Sequence, residues 1–350
     1  MPQINTTDAL GLYTAKVIDA YRQKSTPTAF LRSFFPTVES PTLEVSIEVM
    51  RGFEKVAVDV VRGTDGNRNQ FSRSTQKLFI PPYFREWFDA TQLQLYDRLY
   101  GATQIEDTIF SAYVNSVADA AMELQNKIER SYELQCAQVL TTGVVNVAVG
   151  SAIDYNRKAL SNIDLGAGNY WASASVDPVT SLTIGCNFLR QVGKAEGGVF
   201  NAICGTSALA DLLNNVNVQN RGKIFQYALD VINMPQRNSV GAAYHGQISV
   251  GAYRVNLWSY PQFYDDATTG VSTPYIDPKK VILIPETPQF KLAFAAVPQL
   301  ISPNTMPKMG AYIMSEYINE RGKARIVDIE SAGLAVPTRV DTIWTAKVVA

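Results

Sequence analysis

The sequence is poor in the residues that carry most enzyme chemistry. Its 350 residues include one histidine, His245, and three cysteines, Cys136, Cys186 and Cys204. With no CxxC pair, the cysteines form neither a disulfide framework nor a zinc pattern. A reducing compartment of synthesis is the default reading. No Ser-His-Asp or Cys-His set assembles except through His245, which stands before Gly246 at the start of a strand pattern and reads as structural. Gly205-Thr206-Ser207-Ala208-Leu209 lacks the second glycine of a nucleophile elbow. Gly166-Ala167-Gly168-Asn169-Tyr170-Trp171 fails the dinucleotide fingerprint at its third glycine. Asp265-Asp266 reads as a solvated turn before it reads as a hard-metal site. No catalytic, cofactor-binding or metal residue is expected, and no cofactor.

Charge is scarce as well. Charged residues make up 18% of the chain, against roughly 25% in ordinary soluble domains. The 31 basic and 32 acidic residues leave a net charge of −1, which excludes a protein built mainly to grip bare nucleic acid. With 46% hydrophobic residues, global disorder is excluded too. A low-charge surface with 17 tyrosines suits a chain buried in part against other chains, and suits a neutral enzyme surface equally. Long apolar runs are missing. Met1 to Lys16 has neither the basic start nor the apolar stretch of a secretory signal. Leu134 to Ile153 is uncharged over a length near that of a membrane span, but Gln135, Gln138, Gly143, Asn146 and Gly150 interrupt it. It reads as a helix end followed by a buried strand, Val144 to Val149, and no membrane partner is expected.

What is present is a definite order of elements. Near the N-terminus, Ala29-Phe30-Leu31-Arg32-Ser33-Phe34-Phe35-Pro36 is an apolar cluster. Phe30 and Phe34 share one side of a helical turn that Pro36 stops. The cluster is too small to be a core and must dock on its own body or on another subunit. Val45, Ile47 and Val49 alternate with polar residues as a strand does. Val56 to Val61 follows as a second apolar stretch, and Leu78 to Ile80 returns before Pro81-Pro82. Between them, Arg62 to Lys77 holds one large apolar residue, Phe71, and a net charge of +3 from Arg62, Asp65, Arg68, Arg73 and Lys77. The pattern is a hairpin whose tip cannot bury itself, longer than a structureless loop inside a compact domain ordinarily is.

Thr103 and Glu106 then form a capping box. Ile105, Ile109, Tyr113, Val117, Ala121, Leu124, Ile128, Tyr132, Cys136 and Val139 recur at helical spacing, with no Gly or Pro up to Thr142. This predicts a helix of about 55–60 Å, with Asp107, Glu123, Lys127, Glu129, Arg130 and Glu133 off its apolar stripe. Asp177-Pro178 caps a helix over Val179 to Lys194, Val199 to Cys204 is a strand, and Gly205-Thr206-Ser207 caps a short helix, Ala208 to Asn214. Arg221 to Ile232 is helical. His245 to Leu257, Val281 to Ile284 and Gln289 to Ala296 are strands. Tyr312 to Ile318 and Ala324 to Glu330 make a hairpin, and Thr342 to Val349 is a last strand. Elements are segregated rather than alternating, which gives an α+β class, and the length fits about two domains.

An arm, a long polar-tipped hairpin, an isolated spine helix, a mixed domain and returning terminal strands, in that order, resemble the tailed-phage major capsid proteins of the Hong Kong 97-type fold, and the lambda-type branch in particular. The arm segment Ala29–Pro36 resembles the family's LRxFFP segment. The ending Ala335-Val336-Pro337 with Asp341 and Val348 resembles its small-apolar-Pro step before a final strand. The resemblance implies an N-terminal arm (1–43), an extended loop (44–82), a peripheral domain with the spine helix (83–175 and 326–350) and an axial domain (176–325). It implies hexamers and pentamers of an icosahedral head enclosing double-stranded DNA, touched only non-specifically, and a virion protein assembled in the host cytoplasm. Implied partners are other copies of the chain, a separate scaffolding protein, a portal and a decoration protein. The candidate inter-subunit contacts are Phe30, Leu31, Phe34, Phe35, Arg62, Arg68, Phe71, Arg73 and Lys77. The competing readings are an encapsulin-like compartment shell and an enzyme with an unrecognised site.

Overall fold

The computed structural model describes residues 29–49, 75–91, 107–147, 152–225, 236–237, 241–298, 307–319 and 324–350. A 3-10 turn over Arg32–Phe34 leads into β1 (Thr37–Glu39). β2 (Val45–Val49) and β3 (Thr75–Phe79) pair antiparallel, Val45 opposite Phe79 and Val49 opposite Thr75. They form the base of the expected hairpin; Val56 to Val61 and the tip residues lie outside the described residues. β4 (Tyr83–Thr91) follows at once, a strand that the Pro81-Pro82 step conceals in the sequence.

The long helix α1 spans Asp107–Thr141, 35 residues or about 52 Å; the capping box at Thr103 and Glu106 lies outside the described residues. Gly143 stops it, donating to Gln138 and Val139 carbonyls from φ +77°, a left-handed end that glycine adopts freely. The short pair β5 (Val144–Val145) and β6 (Ile153–Asp154) follows, then β7 (Asn162–Asp164). α2 (Pro178–Gln191) is capped as its sequence requires, with Asp177 accepting the Val179 N–H at 3.1 Å. β8 (Val199–Cys204) leads to α3 (Thr206–Asn214) and α4 (Val216–Phe225). No side chain caps α3. Gly205 stands there because a Cβ would run into the carbonyl oxygens of Asp277 and Pro278.

β9 (Gln236–Arg237), β10 (Ala243–Val250) and β11 (Tyr253–Ser259) come next. The single strand expected over His245 to Leu257 is thus a hairpin, turned at Gly251-Ala252 with Gly251 at φ +61°. After β12 (Phe263–Asp265) and β13 (Ser272–Pro274) come β14 (Lys280–Pro285), β15 (Phe290–Phe294), β16 (Ile313–Asn319), β17 (Ala324–Pro337) and β18 (Trp344–Lys347). β17 is longer than the expected Ala324 to Glu330, because its last residues pair with β15 after its first have paired with β16 and β4.

Two sheets organise the chain. One runs β1-β15-β17-β16, with β4 also on β17; the other runs β7-β18-β14-β8-β11-β10-β9. The central strands of the second, β8 and β14, are buried on both faces. Ile203, Ile282 and Ile284 join one core, with α1, β15, β17 and the 30–35 segment; Ala202, Cys204, Val281 and Leu283 join the other, with α2, α3, Trp171 and Trp344. Double burial explains the continuous apolar runs of β8 and β14. Several strand pairs cross the expected domain boundaries. β15, inside 176–325, pairs with β17, and β18, inside 326–350, pairs with β14. Alternation marks a strand but not the edge on which it pairs.

Candidate functional site

The reactive residue types are used structurally. His245 Nε2 lies 2.8 Å from Ser259 Oγ, and burial lowers the His245 pKa. Cys136, Cys186 and Cys204 are free and buried; burial pushes the thiols of Cys186 and Cys204 up to about 12, far from the thiolate. Asp266 accepts the N–H groups of Thr268 and Thr269, both at 2.9 Å, closing its own turn. Among the described residues no group of three or more His, Cys, Asp or Glu could hold a metal ion, and no helix is long and apolar enough to cross a membrane.

The geometry that stands out is the seat of the arm. Phe30, Leu31 and Phe35 are buried in their own chain. Of the two docking partners open to the cluster, its own body takes these three side chains. Phe34 is half-buried against the same core. Phe30 packs on Trp258 and Tyr260, with ring centroids 5.3 and 5.6 Å away, and Phe35 stacks on Phe290 at 4.9 Å. Burying each ring contributes roughly 1.5–3 kcal/mol. The backbone is held as well. Glu133 of α1 accepts the N–H of Leu31 at 2.9 Å and of Arg32 at 3.0 Å. Arg32 pairs with Glu129, one helical turn back. Both carboxylates are buried although they lie off the apolar stripe. Desolvation raises the Glu133 pKa against the lowering effect of its hydrogen bonds to Tyr260, Leu31 and Arg32.

A second feature lies on the first sheet. Phe84 packs edge-on against Tyr132 of α1 at 5.4 Å, which turns the alternate residues of β4, Tyr83, Arg85, Trp87 and Asp89, to the opposite face, where all four are exposed. Across that face Arg85 stands opposite Glu330, Trp87 opposite Asp328, and Asp89 opposite Ile326. On the other side of β17, Ser315 opposes Asp328 and Tyr317 opposes Ile326. Arg85 donates to Asp328 at 2.6 Å and pairs with Glu330 at 3.3 Å. Ser315 also donates to Asp328. Tyr83 hydrogen-bonds Glu330, and its pKa is pushed up to about 12 by burial and that carboxylate. Asp328 and Glu330 are buried beneath this network, while Tyr83, Trp87 and Tyr317 stay 51, 58 and 46% exposed. These residues were missing from the sequence-based candidates; the alternation of Tyr83 to Asp89 was the available signal. Arg62, Arg68, Phe71 and Arg73 lie outside the described residues, and Lys77 pairs with Ile47 in β3.

The family described as Phage major capsid protein E matches residues 14–348. No curated protein matches the chain. Among solved structures, a protein assigned as the capsid protein of an E. coli CFT073 prophage is 14% identical, with TM-score 0.62 and 99% of each chain covered. A phage-related protein of Bordetella bronchiseptica RB50 is 10% identical, with TM-score 0.53 and 95% of each chain covered. At these identities the likeness is one of fold.

Proposed function

The chain belongs to the phage major capsid protein E family, and from that membership we propose that it tiles as hexamers and pentamers into an icosahedral head around double-stranded DNA. That it is a structural capsid protein follows from the family, which favours a phage head over a cellular compartment. The observation that carries the finer reading is the family match itself: it takes in the hairpin base, the spine helix and both sheets, so it concerns the whole subunit.

Physical features agree with tiling. A net charge of −1 avoids strong repulsion among many copies and avoids gripping packaged DNA. A subunit that touches several neighbours gains by multivalency, so contacts individually weak enough to correct errors suffice. A separate scaffolding protein, a portal and a decoration protein complete the proposal, with assembly in the host cytoplasm. Deleting Gly63 to Thr75 tests it. The variant should yield folded subunits that fail to close stable shells; unchanged particles would remove the hairpin from the assembly mechanism.

A further inference from the structure

The seat of the arm buries more negative charge than it neutralises. Glu129 and Glu133 stand one turn apart on α1 and are 6 and 2% exposed. Among the described residues the cation that pairs with them is Arg32 of the arm, through Glu129. Glu133 accepts the N–H groups of Leu31 and Arg32 and the hydroxyl of Tyr260. Gln125 donates to Glu129 at 3.5 Å. Two carboxylates against one guanidinium leave one negative charge over, where an ion without a counter-charge is expensive. The other groups around the seat do not supply it. Cys136 lies on the same helix, Tyr260 follows β11 and Tyr275 follows β13, and each feels the Glu133 charge. Burial pushes that thiol and both phenols up, so all three stay neutral. Arg130 is exposed and acts on Tyr275.

We propose, independently of the capsid reading, that the arm is a proton-linked strap: seating residues 30–35 on the spine helix takes up one proton on the Glu129–Glu133 pair, and the strap lifts as that proton leaves while the body stays folded. The segment has little structure of its own to keep it in place. Its 3-10 turn has no side-chain cap, and its N–H groups are held by the helix carboxylate instead. The strand after it, β1, has three exposed residues and pairs on one side only, with β15. Local opening is drawn from such segments. With the strap lifted, the two carboxylates face water and titrate in the ordinary range. Seated, the pair keeps a proton to higher pH, in line with Glu133, where desolvation outweighs the hydrogen bonds. Seating is therefore tightest below that window. It weakens as pH rises through it, by up to about tenfold per pH unit for one proton.

Hydrogen exchange of the wild-type chain, read by mass spectrometry from about pH 4 to 7, tests the strap. Protection of residues 30–35, corrected for intrinsic exchange, should fall by about tenfold or more over that range, while β14 in the centre of the second sheet keeps its protection. Glu129→Gln and Glu133→Gln each leave one carboxylate against one guanidinium, so in either variant the arm's profile should flatten. Constant protection of the arm in the wild type overturns the inference, and so does an arm that loses protection in step with β14. A fall that survives in either variant also overturns it, because the proton then belongs to another group, such as His245. If neither variant folds, the wild-type profiles of arm and β14 still decide.

Discussion

The Glu133 carboxylate of the spine helix takes the backbone N–H of Leu31 at 2.9 Å, across 102 positions of sequence. One buried side chain thus caps a 3-10 turn that has no cap of its own, and fixes the arm to the longest helix of the fold. Glu133→Ala leaves the N–H groups of Leu31 and Arg32 without their acceptor. Each buried orphan costs about 1–3 kcal/mol, so urea unfolding of the subunit should show a loss of about 2–5 kcal/mol. Glu133→Gln keeps one acceptor oxygen and should lose less.

The same residue sets a pH dependence. Burial holds the Glu133 pKa in the folded chain above its ordinary 4.5. Between the two values the folded state keeps a proton that the unfolded state has released. Stability from this group therefore falls as pH rises through that window and is greatest below it. The stability difference between wild type and Glu133→Gln, followed from about pH 4 to 7, should shift against the wild type as pH rises. A flat difference would place the carboxyl at its ordinary value.

Gly333 lies in β17 where the spine helix crosses. A Cβ there would stand 2.7 Å from Tyr132 Cε1 and 2.8 Å from Phe294 Cε1. Both rings are buried and pack edge-on at 5.3 Å, so neither can move aside freely. Gly333→Ala should cost about 1–3 kcal/mol by overpacking, read as a lower melting temperature.

Arg157 ties the end of the spine helix to the last strand. It donates to the carbonyls of Leu140, Ser161 and Ile343 at 3.1, 2.7 and 3.2 Å, and to Thr345 Oγ1 at 3.1 Å. Burial lowers its pKa to about 10. Arg157→Ala should cost about 3 kcal/mol or more by orphaning several acceptors. Arg157→Lys should recover only part of that, because an ammonium lacks the planar fork; denaturant midpoints of the two variants check the order.

The regular parts of this fold were legible where one period ran long. The stripe from Val117 to Val139 marks the spine helix, Asp177-Pro178 marks the start of α2, and the alternation before and after Asn319 marks the terminal hairpin. What escaped was decided by distant partners. Glu129 and Glu133 look like solvated helix charges until the arm supplies Arg32 and two N–H groups. The 30–35 cluster is apolar enough to need a partner, but composition does not say whose. β4 hides behind two prolines, and its outward Tyr83, Arg85 and Trp87 acquire meaning only when β17 brings Asp328 and Glu330 beneath them. The outer face of β4 was thus readable as an alternation and unreadable as a surface.

Electron microscopy of the wild-type chain, expressed alone and with the scaffolding protein proposed for it, tests the central claim most directly. Closed icosahedral shells built of hexamers and pentamers of this chain are expected. A population that remains monomeric under those conditions, with every surface open to solvent, would contradict it.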